Sequence, residues 1–316
     1  MEDVLSNALM LGLGRDSDRV RSFLTKARLE CATGPELLLA TAAEFDIDQA
    51  ELKGEVERYR HVNCKHGRAG MRADDPTQPP IGGLDEVTEV SEFAKNVTLH
   101  VVLHELGHAL IREFDLPVLG NEETAADAFA THYLVTHLPD RALDALRARV
   151  DSLLFEADEV PRDQWTVRGE HNNDARRAYQ IAALAVAADP VKYAVVGRAA
   201  RMSAEEMRRA ADYGTEIHRS WRRILQPLRM PAGVLSDEAR IRVDDGGSFV
   251  SQVRSTPLLS DLEAAVRSFD WHSQVTIAFV QGEGGAAWSR RLRTVTVHGG
   301  YLRRFVRQGE AIARAR

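Results

Sequence analysis

The chain has 316 residues, of which 44% are hydrophobic and 28% charged, so it has the make-up of a folded globular protein with ample material for a core. A collagen-like, low-complexity or wholly disordered chain is excluded. Its apolar runs fall well short of the ~18 residues that a membrane span needs, and no integral membrane protein is expected. The net charge of −6 is unevenly spread: residues 290–316 hold eight arginines against the single acid Glu310. Such a basic end suits either an acidic partner or, more ordinarily, a solvated helix face.

The chain opens on the acidic Met1-Glu2-Asp3, and the short apolar stretch Ala8 to Leu13 is followed by Arg15 and Asp16 rather than by a cleavage site. No secretory signal is read here. Two cysteines, Cys31 and Cys64, cannot build a disulfide framework, and together these features point to a cytoplasmic protein.

Apolar residues at three-to-four spacing predict helices over Val20 to Leu29, Pro35 to Phe45 and Asp48 to Val62. The Pro- and Gly-rich stretch Gly67 to Gly83 reads as a loop. A second helical block runs from Asp85 to about Leu225, and its last helix opens on a Ser203/Glu206 capping box and stops before Pro227. Beyond the loop Gln226 to Glu238 the period changes. Arg240 to Val243, Val275 to Val280 and Leu292 to Val297 read as strands, with Leu258 to Phe269 and Tyr301 to Arg314 as helices. The fold class is therefore mainly α with a small α+β segment at the C-terminus, and no internal repeat is found.

The informative stretch is His104-Glu105-Leu106-Gly107-His108, inside a helical pattern from Phe93 to Glu113. Positions i and i+4 project from one helix face, so both imidazoles can reach one metal ion, with Glu105 placed to take a proton from water. A catalytic zinc site wants a third protein ligand. After a turn through Pro117 and Gly120, Asn121 is a good N-cap for a helix that begins Glu122-Glu123 and continues to Asp127. Glu123 and Asp127 share a face, so Glu123 can close the site while Asp127 hydrogen-bonds a ligand histidine from behind. Glu122 is expected to point elsewhere and complement the helix N-terminus.

A tetrahedral oxyanion would also need a partner. The candidate lies in His171 to Tyr179: His171 near a helix start, Asp174 to orient it, and Arg177 a turn later. Ordinary capping and surface charge fit that spacing equally well. His100, a turn before His104, is expected to pack as a neutral core histidine. His132, His137, His218, His272 and His298 lack ligand spacing. His61, Cys64 and His66 form a compact group that could cover the metal with a thiolate, although a lone cysteine is more often a small buried residue.

These residues resemble the DUF4344 metallopeptidases of the glutamate-zincin class. The similarity lies in His104 to Ile111, Leu116 to Gly120 and Glu123 to Asp127, then in His171, Asp174, Arg177 and Tyr179, Asp189-Pro190, Trp221, Leu225 and Pro227. It covers about residues 90–316. It implies a zincin-like two-helix metal core, Zn²⁺ held by His104, His108 and Glu123, and Glu105 as general base in peptide-bond hydrolysis. It also implies Asp127 behind a ligand histidine, and His171 or Arg177 at the oxyanion. In such peptidases an edge strand lines the cleft and grips an extended substrate, and the matching stretch here is Gly285-Ala286-Ala287-Trp288. Gly285 stands where the family has asparagine, and Gln281 and His298 where relatives carry paired cysteines.

The organisation expected is an N-terminal helical region (1–80) of open role, able to dock a partner or substrate, then a zinc-binding catalytic domain (81–228). An α+β segment (229–316) would complete the substrate cleft. Two other readings use the same residues: a non-haem Fe(II) oxygenase, since two histidines and a carboxylate suit that metal, or a regulatory protein with a structural metal. Nucleic-acid binding ranks last, because only Tyr301 and Phe305 interleave the C-terminal arginines.

Overall fold

The structure, a computed structural model, describes residues 34–53, 87–118, 120–160, 173–244 and 249–315, with a few positions before residue 34. Residues 1–78 and 79–316 form two compact units. In the first, helix α1 (Gly34–Phe45) ends at Asp46, whose φ is 49°, and residues 49–53 are helical again. Phe45 meets Phe23 edge-on at 5.5 Å between centroids, and Arg19 pairs with Glu44. The group His61, Cys64 and His66, like the loop Gly67 to Gly83, lies outside the described residues.

The second unit is built around one helix, α2 (Glu92–Glu113). Ser91 caps it by accepting from the Ala94 amide, and most of its residues are buried. Apolar residues on nearly every side mark a helix enclosed by neighbours rather than laid on a surface. Those neighbours are α3 (Glu122–His137), α4 (Pro139–Asp158), α8 (Pro257–Arg267), α9 (Gly299–Ala315) and two strands of the sheet. Outside them lie α5 (Asp174–Ala188), the short α6 (Ala194–Ala199) and α7 (Ala204–Leu225), which carries the Ser203/Glu206 capping box read from the sequence.

Four strands make the sheet: β1 (Ala239–Val243), β2 (Val275–Val280), β3 (Ala286–Ser289) and β4 (Thr294–His298). Their order is β1-β2-β4-β3, with β1, β2 and β4 parallel and β3 antiparallel on the edge beside β4. The central β2, Val-Thr-Ile-Ala-Phe-Val, is buried almost throughout, as a strand covered on both faces must be. β4 alternates, turning Val295 and Val297 inward. Three strands, β1, β2 and β4, and two helices of this region match the periodicity of the sequence. β3 does not, because Ala-Ala-Trp-Ser carries no alternation to read. Among the described residues no helix is long and apolar enough to cross a membrane.

Candidate metal centre

The site forms where α2 and α3 cross. Gly107, between the two histidines, makes the crossing close: a Cβ there would lie 3.1 Å from the Ala126 Cα and 3.1 Å from the Phe129 ring. The chain reaches α3 through a turn in which Asp115 takes a left-handed conformation (φ 48°) and the Leu116 amide donates to the Ile111 carbonyl, closing α2. Asn121 then caps α3 by accepting from the Thr124 amide. The acids at the start of α3 are thus held against the histidine face of α2.

His104 Nε2 and His108 Nε2 lie 3.1 Å apart. Glu123 completes the triangle, with one oxygen 3.2 Å from His104 Nε2 and the other 3.3 Å from His108 Nε2. Tetrahedral ligation at ~2.0–2.1 Å separates neighbouring ligand atoms by ~3.3 Å, so the donor set fits one such ion without rearrangement. His104, His108 and Glu123 form the one group among the described residues with this convergence.

The remaining ring nitrogens are fixed from behind. His104 Nδ1 lies 2.8 Å from Asp127 Oδ1 and His108 Nδ1 lies 2.9 Å from Glu122 Oε1. Each carboxylate accepts an Nδ1–H, which leaves both Nε2 lone pairs for a ligand-binding role. Glu122 therefore does not point away as its place in the helix suggested. It faces His108 and is itself held by Arg112 Nε and Nη2, at 3.1 and 2.6 Å.

Asp127 is enclosed and takes two further bonds, from Arg177 Nε at 2.8 Å and Arg177 Nη2 at 2.9 Å. Arg177, considered for the oxyanion from its spacing, thus has its guanidinium on Asp127, behind His104. His171 lies outside the described residues. Asp174 opens α5 just after the capping residue Asn173 and contributes to the charge around Arg177. Burial opposes ionisation of Asp127, yet Arg177 and His104 hold its carboxyl well below the usual range. Burial likewise pulls the His104 imidazole down, but Asp127 and Glu123 outweigh it and lift the group to about 9. His108 is raised for the same reason, its hydrogen bond to Glu123 leading. Metal-free, His104 holds a proton at neutral pH that an incoming cation must displace.

Glu105 projects toward the sheet. The Trp288 amide donates to Glu105 Oε2 at 2.7 Å, although residue 288 is on the far edge strand. The His298 amide donates to the Gly285 carbonyl at 3.2 Å, and His298 Nδ1 to the same oxygen at 3.0 Å. Alternation along β3 then turns the backbone groups of Ala286 and Trp288 away from β4. One of these outward amides meets Glu105. Trp288 and Ala286 are therefore at the site edge, whereas Gly285 is pinned to β4. The Trp288–Glu105 bond left no mark in the sequence, being a backbone contact across more than 180 residues.

His100 is fully enclosed and burial pushes its pKa well down, in keeping with a neutral core histidine. His132 and His218, which lack ligand spacing, meet in the core with Nδ1 atoms 3.1 Å apart. His218 Nε2 donates to the Leu184 carbonyl at 2.8 Å, so its Nδ1 accepts from His132.

Two histidines and a carboxylate on crossing helices, with a further glutamate facing a sheet edge, define a mainly helical protein with a candidate metal centre. The family model DUF4344, described as "Putative metallopeptidase", matches residues 78–225. That span contains His104, Glu105, His108 and Glu123 and ends with α7, before the sheet. No curated protein and no solved structure matches the chain.

Proposed function

We propose that the chain is a zinc-dependent peptidase with a zincin-type core. The observation that carries this is the convergence of His104 Nε2, His108 Nε2 and Glu123 on one point, with Glu105 beside it and turned to an edge strand. Imidazole and carboxylate donors in a compact tetrahedral set suit Zn²⁺. When bound, the ion supplies a Lewis acid for a scissile carbonyl and acidifies water.

Glu105 takes the proton of the attacking water and passes it to the leaving amine. Its Oε2 is tethered by the Trp288 amide, which leaves the other oxygen for proton transfer. The outward amide and carbonyl of Ala286 offer an extended peptide a backbone ladder. Asp127 and Glu122 orient the ligand imidazoles, Arg177 holds Asp127, and His171 with Asp174 is assigned to the oxyanion. Residues 1–80 are assigned to docking of a partner or substrate, and the working compartment is the cytoplasm.

The test is metal content of protein purified without added metal, followed by a peptide-library cleavage screen. Near one zinc per chain is expected, lost in His104→Ala. Glu105→Gln should keep the zinc and lose hydrolysis by at least about a hundredfold, the lower range of general-base contributions. Iron in place of zinc, or hydrolysis unchanged in Glu105→Gln, overturns the reading.

A further inference from the structure

The β3–β4 hairpin meets α2 at two polar contacts. One is the Trp288 amide on Glu105 Oε2 at 2.7 Å. The other joins Arg293 Nη2, at the turn of the hairpin, to Glu113 Oε2 at the end of α2. The Glu113 side chain is enclosed, 6% exposed, and that of Arg293 is 28% exposed. His272 also faces this carboxylate, its Nε2 3.7 Å away, and Phe114 packs on the rings of Trp271 and His272. Among the described residues no other hydrogen bond or ion pair joins α2 to the hairpin.

The turn is built to carry a constraint from one contact to the other. Arg293 has a left-handed backbone (φ 48°), and its amide donates to the Arg290 carbonyl at 3.3 Å. The Leu292 amide donates to Ser289 Oγ at 3.4 Å, and Thr294 Oγ1 donates to the Leu292 carbonyl at 2.8 Å. The Arg293 carbonyl accepts from the Thr276 amide of β2 at 2.9 Å. The backbone of Arg293 is thus fixed to the sheet while its guanidinium is fixed to the helix. Trp288 pairs with Val295, two residues or about 7 Å further along the hairpin. On α2, Glu105 and Glu113 are eight residues or ~12 Å apart. Two contacts at that spacing fix the line of the hairpin on α2, where one alone would let it swivel.

β3 depends on such a fixing. Ala-Ala-Trp-Ser is four residues on a sheet edge with β4 as its one ladder partner. The start of the strand is fastened to β4 rather than to α2, through the Gly285 carbonyl. A residue other than glycine is kept left-handed where its surroundings over-determine it, and at Arg293 the backbone bonds and the pairing with Glu113 do so together. We propose that Arg293 and Glu113 are positioning residues, which fasten the β3–β4 hairpin to α2 and so hold the Trp288 amide on Glu105. The consequence for turnover rests on the peptidase reading, in which Glu105 is the general base and β3 lines the cleft. The fastening itself rests on the contacts. Misplacing reacting groups by an ångström costs about a hundredfold in rate, so a pair ~12 Å along the helix acts on turnover without touching substrate.

The experiment uses the zinc-loaded full chain, isotope-labelled at tryptophan so that backbone amide exchange is followed by NMR. Trp288→Phe identifies the Trp288 signal, and Glu105→Ala sets the exchange expected once the acceptor is gone. Arg293→Met should speed Trp288 exchange at least about tenfold, the worth of one hydrogen bond to a charged group, while Trp221 on α7 exchanges as in the wild type. The double variant Glu113→Gln/Arg293→Met leaves no enclosed charge unpaired and should behave alike. Zinc per chain should not change in either. kcat/KM for a cleaved peptide should fall at least about tenfold in both, and Arg293→Lys, which keeps the charge, should recover part of both losses.

Unchanged exchange at Trp288 overturns the proposal. So does exchange that rises equally at Trp221, which marks a loss of overall stability instead of a released hairpin. A kcat/KM that stays level while Trp288 is released overturns it as well. A wild-type chain that cleaves no peptide removes the peptidase reading, and Trp288 exchange still decides whether the pair holds the hairpin. Cleavage with Trp288 exchange unmoved does the reverse: the peptidase stands and the positioning pair falls.

Discussion

The buried trio Arg177, Asp127 and His104 offers the sharpest test of the site. Asp127 receives three bonds of 2.8–2.9 Å, two from Arg177 and one from His104, with both partner side chains and its own nearly enclosed. Asp127→Asn keeps the shape but replaces an acceptor-only group by one whose amide must face a donor. Arg177 is then left as a buried cation without its counter-charge, a change worth about 3–5 kcal/mol. For a unit of this size that corresponds to a fall in melting temperature of roughly 6–20 °C. His104 loses the group that fixes its ring, so zinc affinity should drop about 10–100-fold.

Arg177→Met should be destabilising too, since it strips Asp127 of its main counter-charge. The double variant Asp127→Asn/Arg177→Met should be more stable than the sum of the singles by at least about 1.5 kcal/mol, within the range for residues that share one network. Zinc affinity should stay depressed in the double variant. The assays are urea unfolding of metal-free protein and chelator competition for zinc. Asp127→Asn within about 1 kcal/mol of wild type, or single effects that add within about 0.5 kcal/mol, would refute the assignment of Arg177 and Asp127 as one coupled unit.

Gly107→Ala places a Cβ 3.1 Å from the Ala126 backbone, an overpacking cost of about 1–3 kcal/mol set against about 1 kcal/mol of helix propensity. Gly107→Val should cost more and prise Glu123 from the histidines, so a zinc titration of both variants should show a graded loss. Glu122→Ala removes the acceptor behind His108 and should weaken zinc binding by about tenfold, whereas unaltered affinity would return Glu122 to a helix-terminus role. Burial holds His132 down to about 3 and His137 to about 4, and His218 is lowered as well. The unfolded chain binds protons at these groups below ~6.5 that the folded one does not, so their contribution is intact above that pH and is lost as pH falls toward 4. Melting temperatures between pH 7 and 5 should therefore fall, and less steeply in His132→Asn. A slope unchanged by that substitution would exclude the His132–His218 pair as a source.

Much of the site was legible because it is local. The four-residue step from His104 to His108, the cap at Asn121 and the shared face of Glu123 and Asp127 each follow from helix geometry within a few residues. The capping box of α7 and the strands β1, β2 and β4 were legible for the same reason. What periodicity cannot state is which element a given face meets. Glu122 and Glu123 are adjacent in the chain, and only the angle at which α3 crosses α2 gives each a different histidine atom.

Arg177 reaches Asp127 across 50 residues, and Trp288 reaches Glu105 across 183, this time through a backbone amide that has no residue-type signature. β3 shows the same limit, since an edge strand of four residues is held by its neighbour β4 rather than by its own pattern. The sequence by itself determined the helices of residues 87–315, their caps and the chemical nature of the candidate metal ligands, all set by bonds and spacings within a turn or two. The tertiary structure decided which charges face one another, because burial and pairing depend on contacts between elements far apart in the chain.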